Sequence, residues 1–191
     1  IAVLVLGFRR AAFSNEAGIG SSAIAHAAVK TKEPLTQGFV AMLEPFIDTV
    51  VVCTITALVI TVTVYDPAML NDGVISGVEL TSAAFASVMP WFPYVLAVVI
   101  MLFAYSTMIS WSYYGLEGFV YLFGPSRISK LTFNTTFCLF VVIGCTTQLT
   151  AVLDFSDAMI FAMALANILA LYVLGPGVKR DLEAYWQRRA S

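Results

Sequence analysis

Residues Gly7–Gly20 read GFRRAAFSNEAGIG, and this stretch decides how the rest of the chain is understood. An apolar run stops at Phe8, and a segment of polar and small residues begins. Unpaired arginine is costly in hydrocarbon, so Arg9 and Arg10 mark a membrane face. Ser14, Asn15 and Glu16 follow, then Gly18 and Gly20. Two glycines so close together argue against a helix interior, where each costs about 1 kcal/mol relative to alanine. The expectation is a broken backbone beside a membrane-embedded bundle. Such backbone is tolerated only when it is buried in protein or lines an aqueous cavity.

Composition supports a membrane setting. Of 191 residues, 60% are hydrophobic and 12% charged, about half the charge of a soluble domain; mean hydropathy is +0.88. A net charge of −2 leaves no basic excess for nucleic acid. Cys53, Cys138 and Cys145 all lie in apolar runs. They show neither a secreted disulfide framework nor metal-ligand spacing. The single histidine, His26, argues against a histidine-based metal site and reads as inert. No catalytic constellation is visible, so an enzyme is not expected. Residues 1–8 are apolar but too few to span a bilayer. The chain is therefore expected to begin inside a span, as the C-terminal portion of a larger transporter domain.

Outward from the break, residues 1–13 read as the end of a broken helix and 14–37 as a cytoplasmic segment. Four transmembrane helices are expected at 39–64, 94–123, 131–149 and 155–174, the last stopped by Gly175-Pro176-Gly177. Residues 175–191 read as a cytoplasmic tail with Tyr185 and Trp186 as interface anchors. A surface helix is expected at Gly77–Met89. Segments 1–37, 124–130 and 175–191 hold all ten Lys and Arg residues. Connections 65–93 and 150–154 hold none and carry Asp66, Asp72, Glu79 and Asp154 instead. The positive-inside rule puts the break, the middle loop and the C-terminus in the cytoplasm.

Several polar residues lie at span depth. Ser106 and Ser110 share a helical face, and Thr107 lies one position round. Hydroxyls and main-chain carbonyls suit a weakly held Na⁺. The plain alternative is that they bond their own helix or pack against a neighbour. Glu44 and Asp48 are functional candidates as intramembrane acids, or structural partners of backbone amides, Arg9 or Arg10. Thr56 is expected to back-bond within its helix. Asn134 and Asn167 read as glue between helices ahead of substrate contacts. Residues 13–20 offer freed carbonyls and amides of the kind that transporters use to hold ions, though a simple turn explains them as well.

Three strings now fall together: FRRAAFSNEAGIGSSAIAHAA at Phe8–Ala28, QGFVAMLEPFIDTVVVCTITALVI at Gln37–Ile60, and FAYSTMISWSYYGLEGFVYLFG at Phe103–Gly124. In order and spacing they resemble the alanine or glycine:cation symporter family, the sodium:alanine symporters. Two departures stand out. Arg10-Ala11 replaces an Arg-Gly common in the family, and Ser22-Ala23 occupy a place where proline is common. The resemblance implies the C-terminal part of an all-α, leucine-transporter-like inverted repeat, with four full transmembrane helices and a partial one. It implies symport of a small neutral amino acid, alanine or glycine, with Na⁺ as coupling ion, across the cell membrane. It places a sodium site on Phe103, Ser106, Thr107 and Ser110. Ser14, Asn15, Glu16, Gly18, Gly20 and Asp48 then belong to a gating or structural motif. The competing reading is a non-transporting membrane scaffold or receptor subunit.

Overall fold

The structure is a computed structural model that describes residues 2–63 and 77–190. The expected end of the first span at Val64, and the acidic residues Asp66 and Asp72, lie outside the described residues. Among the described residues all regular elements are helical: α1 (Ala2–Ser14), α2 (Ser21–Ala27), α3 (Pro34–Ala41), α4 (Leu43–Pro45), a π-helix at Phe46–Val52, α5 (Cys53–Thr63), α6 (Val78–Val88), α7 (Phe92–Phe123), α8 (Arg127–Thr146) and α9 (Leu149–Ala190). Among the described residues four helical runs are long and apolar enough to cross a membrane: Pro34–Thr63, Phe92–Phe123, Arg127–Thr146 and Leu149–Arg189. Each overlaps one of the four spans expected from the sequence; the first begins earlier, at Pro34, the third ends at Thr146 and the fourth begins at Leu149. The chain is an all-α polytopic membrane protein.

Contacts divide the chain into two compact units, residues 1–45 with 112–191, and residues 46–111. In the first unit the well-buried side chains are Ile19, Ser21, Asp157, Ile160 and Tyr185 among the described residues. All of them belong to α9, to the start of α2, or to the break between α1 and α2. Where α3 meets the end of α9 this unit is aromatic. Phe39 packs against Tyr185 and Trp186 at ring separations of 5.8 and 6.2 Å, and Arg189 lies 5.1 Å from the Tyr185 ring centre. Tyr185 is therefore a packing residue and not the interface anchor expected of it, while Trp186 stays exposed.

Helix ends follow local chemistry. Gly124 ends α7 in the left-handed region at φ 86°, and its N–H closes the last turn on Val120 O at 2.8 Å. Only glycine enters that region without steric cost. Ser126 caps α8, its side chain accepting from the Ser129 N–H at 3.0 Å. About two turns in from these caps α7 and α8 approach closely: a Cβ at Gly115 would stand 2.6 Å from Phe133 Cζ. Unlike the expected stop at Gly175-Pro176-Gly177, α9 continues through it to Ala190. Proline removes one N–H and crowds the carbonyl four residues back. The flanking glycines have no neighbour within 4 Å of a Cβ position, so the helix has room to adjust there.

In the second unit α5 packs against the π-helix and α6. The π-helix follows directly on Pro45, which has no N–H to offer the carbonyl four residues back. Asp48 lies within this segment. Thr56, Thr61 and Thr63 donate to carbonyls three or four residues back, as expected for Thr56. The surface helix expected at Gly77–Met89 is α6, held to the start of α7 by Phe85 and Phe92 at 4.4 Å.

Candidate functional site

The break lies between α1 and α2. Asn15 N–H makes the last helical bond, to Ala11 O at 3.1 Å. The chain then passes through Glu16 at φ 55°, Gly18 at φ 82° and Gly20 at φ 93°. A non-glycine residue in the left-handed region needs support from its surroundings, and Glu16 has it. Its Oε2 accepts from the buried Ser21 hydroxyl at 2.6 Å, and Asn15 Oδ1 accepts from the Ala17 N–H at 3.0 Å. Ser14, Asn15, Glu16, Gly18 and Gly20 thus form one connected piece of structure.

Two side chains of α9 hold this piece. Asn167 donates from Nδ2 to Gly18 O at 2.9 Å, which is the helix-bridging role expected of it. The helix leading into the break, α1, is held earlier along α9. Arg9 Nη2 and Arg10 Nη2 both donate to Asp157 Oδ2 at 2.7 Å, and the Asp157 side chain is 4% exposed. From sequence the arginines mark a membrane face because they cannot be left unpaired. Here they are paired, on a residue roughly 27 Å of helix before Gly175 and inside the apolar run of α9. The break likewise lies level with Asn167, within that run. Removing Arg9 and Arg10 from the charge tally still leaves the other basic residues in the same three segments. Arg188 and Glu33, 3.9 Å apart, bring two of those segments together.

Asp157 is the residue that sequence reasoning missed. A signal existed: two arginines need carboxylates, and the apolar runs offer Glu44, Asp48, Glu117 and Asp157. Choosing among them requires the tertiary contact. Glu44 goes elsewhere. Its Oε2 lies 3.3 Å from His26 Nε2, while His26 Nδ1 lies 2.7 Å from Gln37 Nε2. His26 is thus engaged at both ring nitrogens and joins α2 to α3 and α4, in contrast to the inert role expected for it.

Phe103, Ser106, Thr107 and Ser110 lie in the second unit, on α7. Ser106 Oγ donates to Phe103 O at 2.9 Å, and Ser110 Oγ donates to Ser106 O at 3.0 Å. The two hydroxyls and two carbonyls form a ladder of oxygens along one helix face. Each hydroxyl keeps lone pairs for a further donor or a hard cation. Phe103, Ser106 and Thr107 are exposed.

The long apolar helices define a membrane protein, and within its first unit a backbone break is held against α9 at Gly18. The sodium:alanine symporter family model matches residues 1–191. The chain belongs to that family. It is 38% identical over 190 residues to the sodium/alanine symporter AgcS of Methanococcus maripaludis, covering 98% of this chain and 41% of that protein. It is 33% identical over 191 residues to the probable sodium/glutamine symporter GlnT of Bacillus subtilis, covering 100% and 39%. The amino-acid carrier protein AlsT of the same organism is 31% identical over 188 residues, covering 98% and 39%. The chain spans about two fifths of the length of these curated relatives. No solved structure matches it significantly.

Proposed function

We propose that these residues are the C-terminal part of a sodium-coupled symporter of a small neutral amino acid, alanine or glycine, in the cell membrane. The fold assigned under this proposal is the leucine-transporter-like inverted repeat, with α1 as the inner end of a discontinuous helix and the C-terminus in the cytoplasm. Family membership supports the coupling class. Relatives named for alanine and for glutamine support a neutral amino acid as cargo. The observation that carries the reading is the break at residues 15–20, supported at Gly18 by Asn167 from the long apolar helix α9. Irregular backbone within a membrane protein is kept where it is buried in protein or lines a cavity, and transporters use it in the second way.

Under this proposal Na⁺ is held by Ser106, Thr107 and Ser110 hydroxyls with the Phe103 carbonyl, and the Na⁺ gradient drives alternating access. The Ser106–Phe103 bond already brings two candidate ligand oxygens to 2.9 Å. The gating or structural role falls on Ser14, Asn15, Glu16, Gly18, Gly20 and Asp48. The test is alanine uptake by the full-length protein in proteoliposomes. Uptake is expected to need an inward Na⁺ gradient, and Ser106→Ala with Thr107→Ala to raise the Na⁺ concentration for half-maximal uptake at least tenfold. Uptake indifferent to replacing Na⁺ by K⁺ sinks the proposal. In that case a packing role for these hydroxyls, and a receptor or scaffold role for the protein, take its place.

A further inference from the structure

Arg9, Arg10 and Asp157 carry a net charge of +1, and among the described residues no second carboxylate reaches either arginine. Both guanidinium groups approach the same oxygen, Asp157 Oδ2. The carboxylate is buried, whereas the arginine side chains are 39% and 40% exposed. Each guanidinium has five N–H donors, and the bond to Asp157 uses one of them. The cluster lies near the start of the apolar run of α9, three residues after Asp154. Arginine cannot shed its proton, and Asp157 is already shared, so the surplus charge stays.

We propose that Arg9, Arg10 and Asp157 form a binding site for one monovalent carboxylate. The planar fork of a guanidinium matches a carboxylate through two parallel N–H···O bonds, and one added carboxylate brings the cluster to neutrality. Its source is either a free small carboxylate, such as that of an amino acid, or an acidic side chain from the remainder of the protein. The inference rests on charge and geometry within the first unit and stands apart from the sodium reading of α7.

The test is equilibrium dialysis of radiolabelled acetate against the full-length protein in detergent, with sodium sulfate as background salt. If the carboxylate is free, one equivalent of acetate binds saturably. Arg9→Gln and Arg10→Gln, each of which neutralises the cluster, weaken binding at least tenfold, and Arg10→Lys retains it in part. Alanine then displaces acetate and alaninamide does not, if the amino acid itself is the source. If an acidic side chain fills the site, the unsubstituted protein binds no acetate. One Asp→Asn or Glu→Gln substitution outside residues 1–191 then opens the site, and the opening is lost when Arg10→Gln is added. The proposal is overturned if neither the unsubstituted protein nor any of those acid-to-amide variants binds acetate in a way that depends on Arg9 or Arg10.

Discussion

Asn167 reaches from α9 to the Gly18 carbonyl, donating through Nδ2 at 2.9 Å. The bond crosses 149 positions of sequence and joins the least regular backbone of the first unit to its longest helix. Asparagine fits because the carbonyl needs a donor and the helix site is half-buried. Asn167→Ala should lower stability by about 1 kcal/mol, the net worth of such a bond. Asn167→Asp should be worse, since it sets a carboxylate oxygen against a carbonyl oxygen. Thermal unfolding of the full-length protein in detergent checks both. Equal midpoints for the two variants would mean that the contact contributes little.

Gly20 meets the same side chain from the other side. Its φ is 93°, and a Cβ there would stand 3.0 Å from Asn167 Oδ1. Gly20→Ala therefore incurs both a left-handed backbone cost of about 1–2 kcal/mol and a steric one. The double variant with Asn167→Ala relieves the steric part alone. A double-variant cycle should show a coupling of about 0.5–1 kcal/mol, read from unfolding midpoints. Additive losses would place the whole effect in the backbone.

Gly115 lets α7 and α8 close on each other through Phe133. With a Cβ position 2.6 Å from Phe133 Cζ, Gly115→Ala forces the ring aside. The ring has rings on both sides, with Phe119 at 5.7 Å and Phe137 at 6.1 Å. The expected loss is about 1–3 kcal/mol, as for overpacking. Phe133→Leu should rescue the alanine variant while costing stability in the parent. Failure of that rescue would show that the glycine serves some other purpose.

Which of these features could be read from the sequence depends on how local their causes are. The four long helices were legible because apolar length is a property of consecutive residues. Break and glycines were legible too, because Gly18 and Gly20 suit the positive φ that the turn requires. Thr56 bonds its own helix, again a local matter. Depth was not legible. Arg9 and Arg10 indicate a membrane face only while they lack partners, and Asp157 is supplied from the far end of the chain. His26 joins Gln37 and Glu44 for the same reason: neither spacing nor composition says which acid meets which base. Tyr185 reads as an interface anchor until Phe39 is seen against it.

Gly175 and Gly177 bring a stability prediction with a functional edge. Both lie in the interior of α9 around Pro176, and a Cβ at either position meets nothing within 4 Å. Alanine should therefore stabilise the helix by about 0.5–1 kcal/mol at each site, through helix propensity and reduced freedom of the unfolded chain. A helix that only needs to be continuous gains from both changes. One that bends at Pro176 during transport loses the flexibility that glycine gives to its neighbours. The Gly175→Ala, Gly177→Ala double variant should thus unfold at a higher temperature and, if this part of α9 moves in the cycle, take up alanine more slowly. Unfolding midpoints and initial uptake rates on the same preparation decide it. A higher midpoint with an unchanged rate makes this length of α9 a rigid strut, and a lower midpoint shows that the glycines serve a contact beyond the described residues.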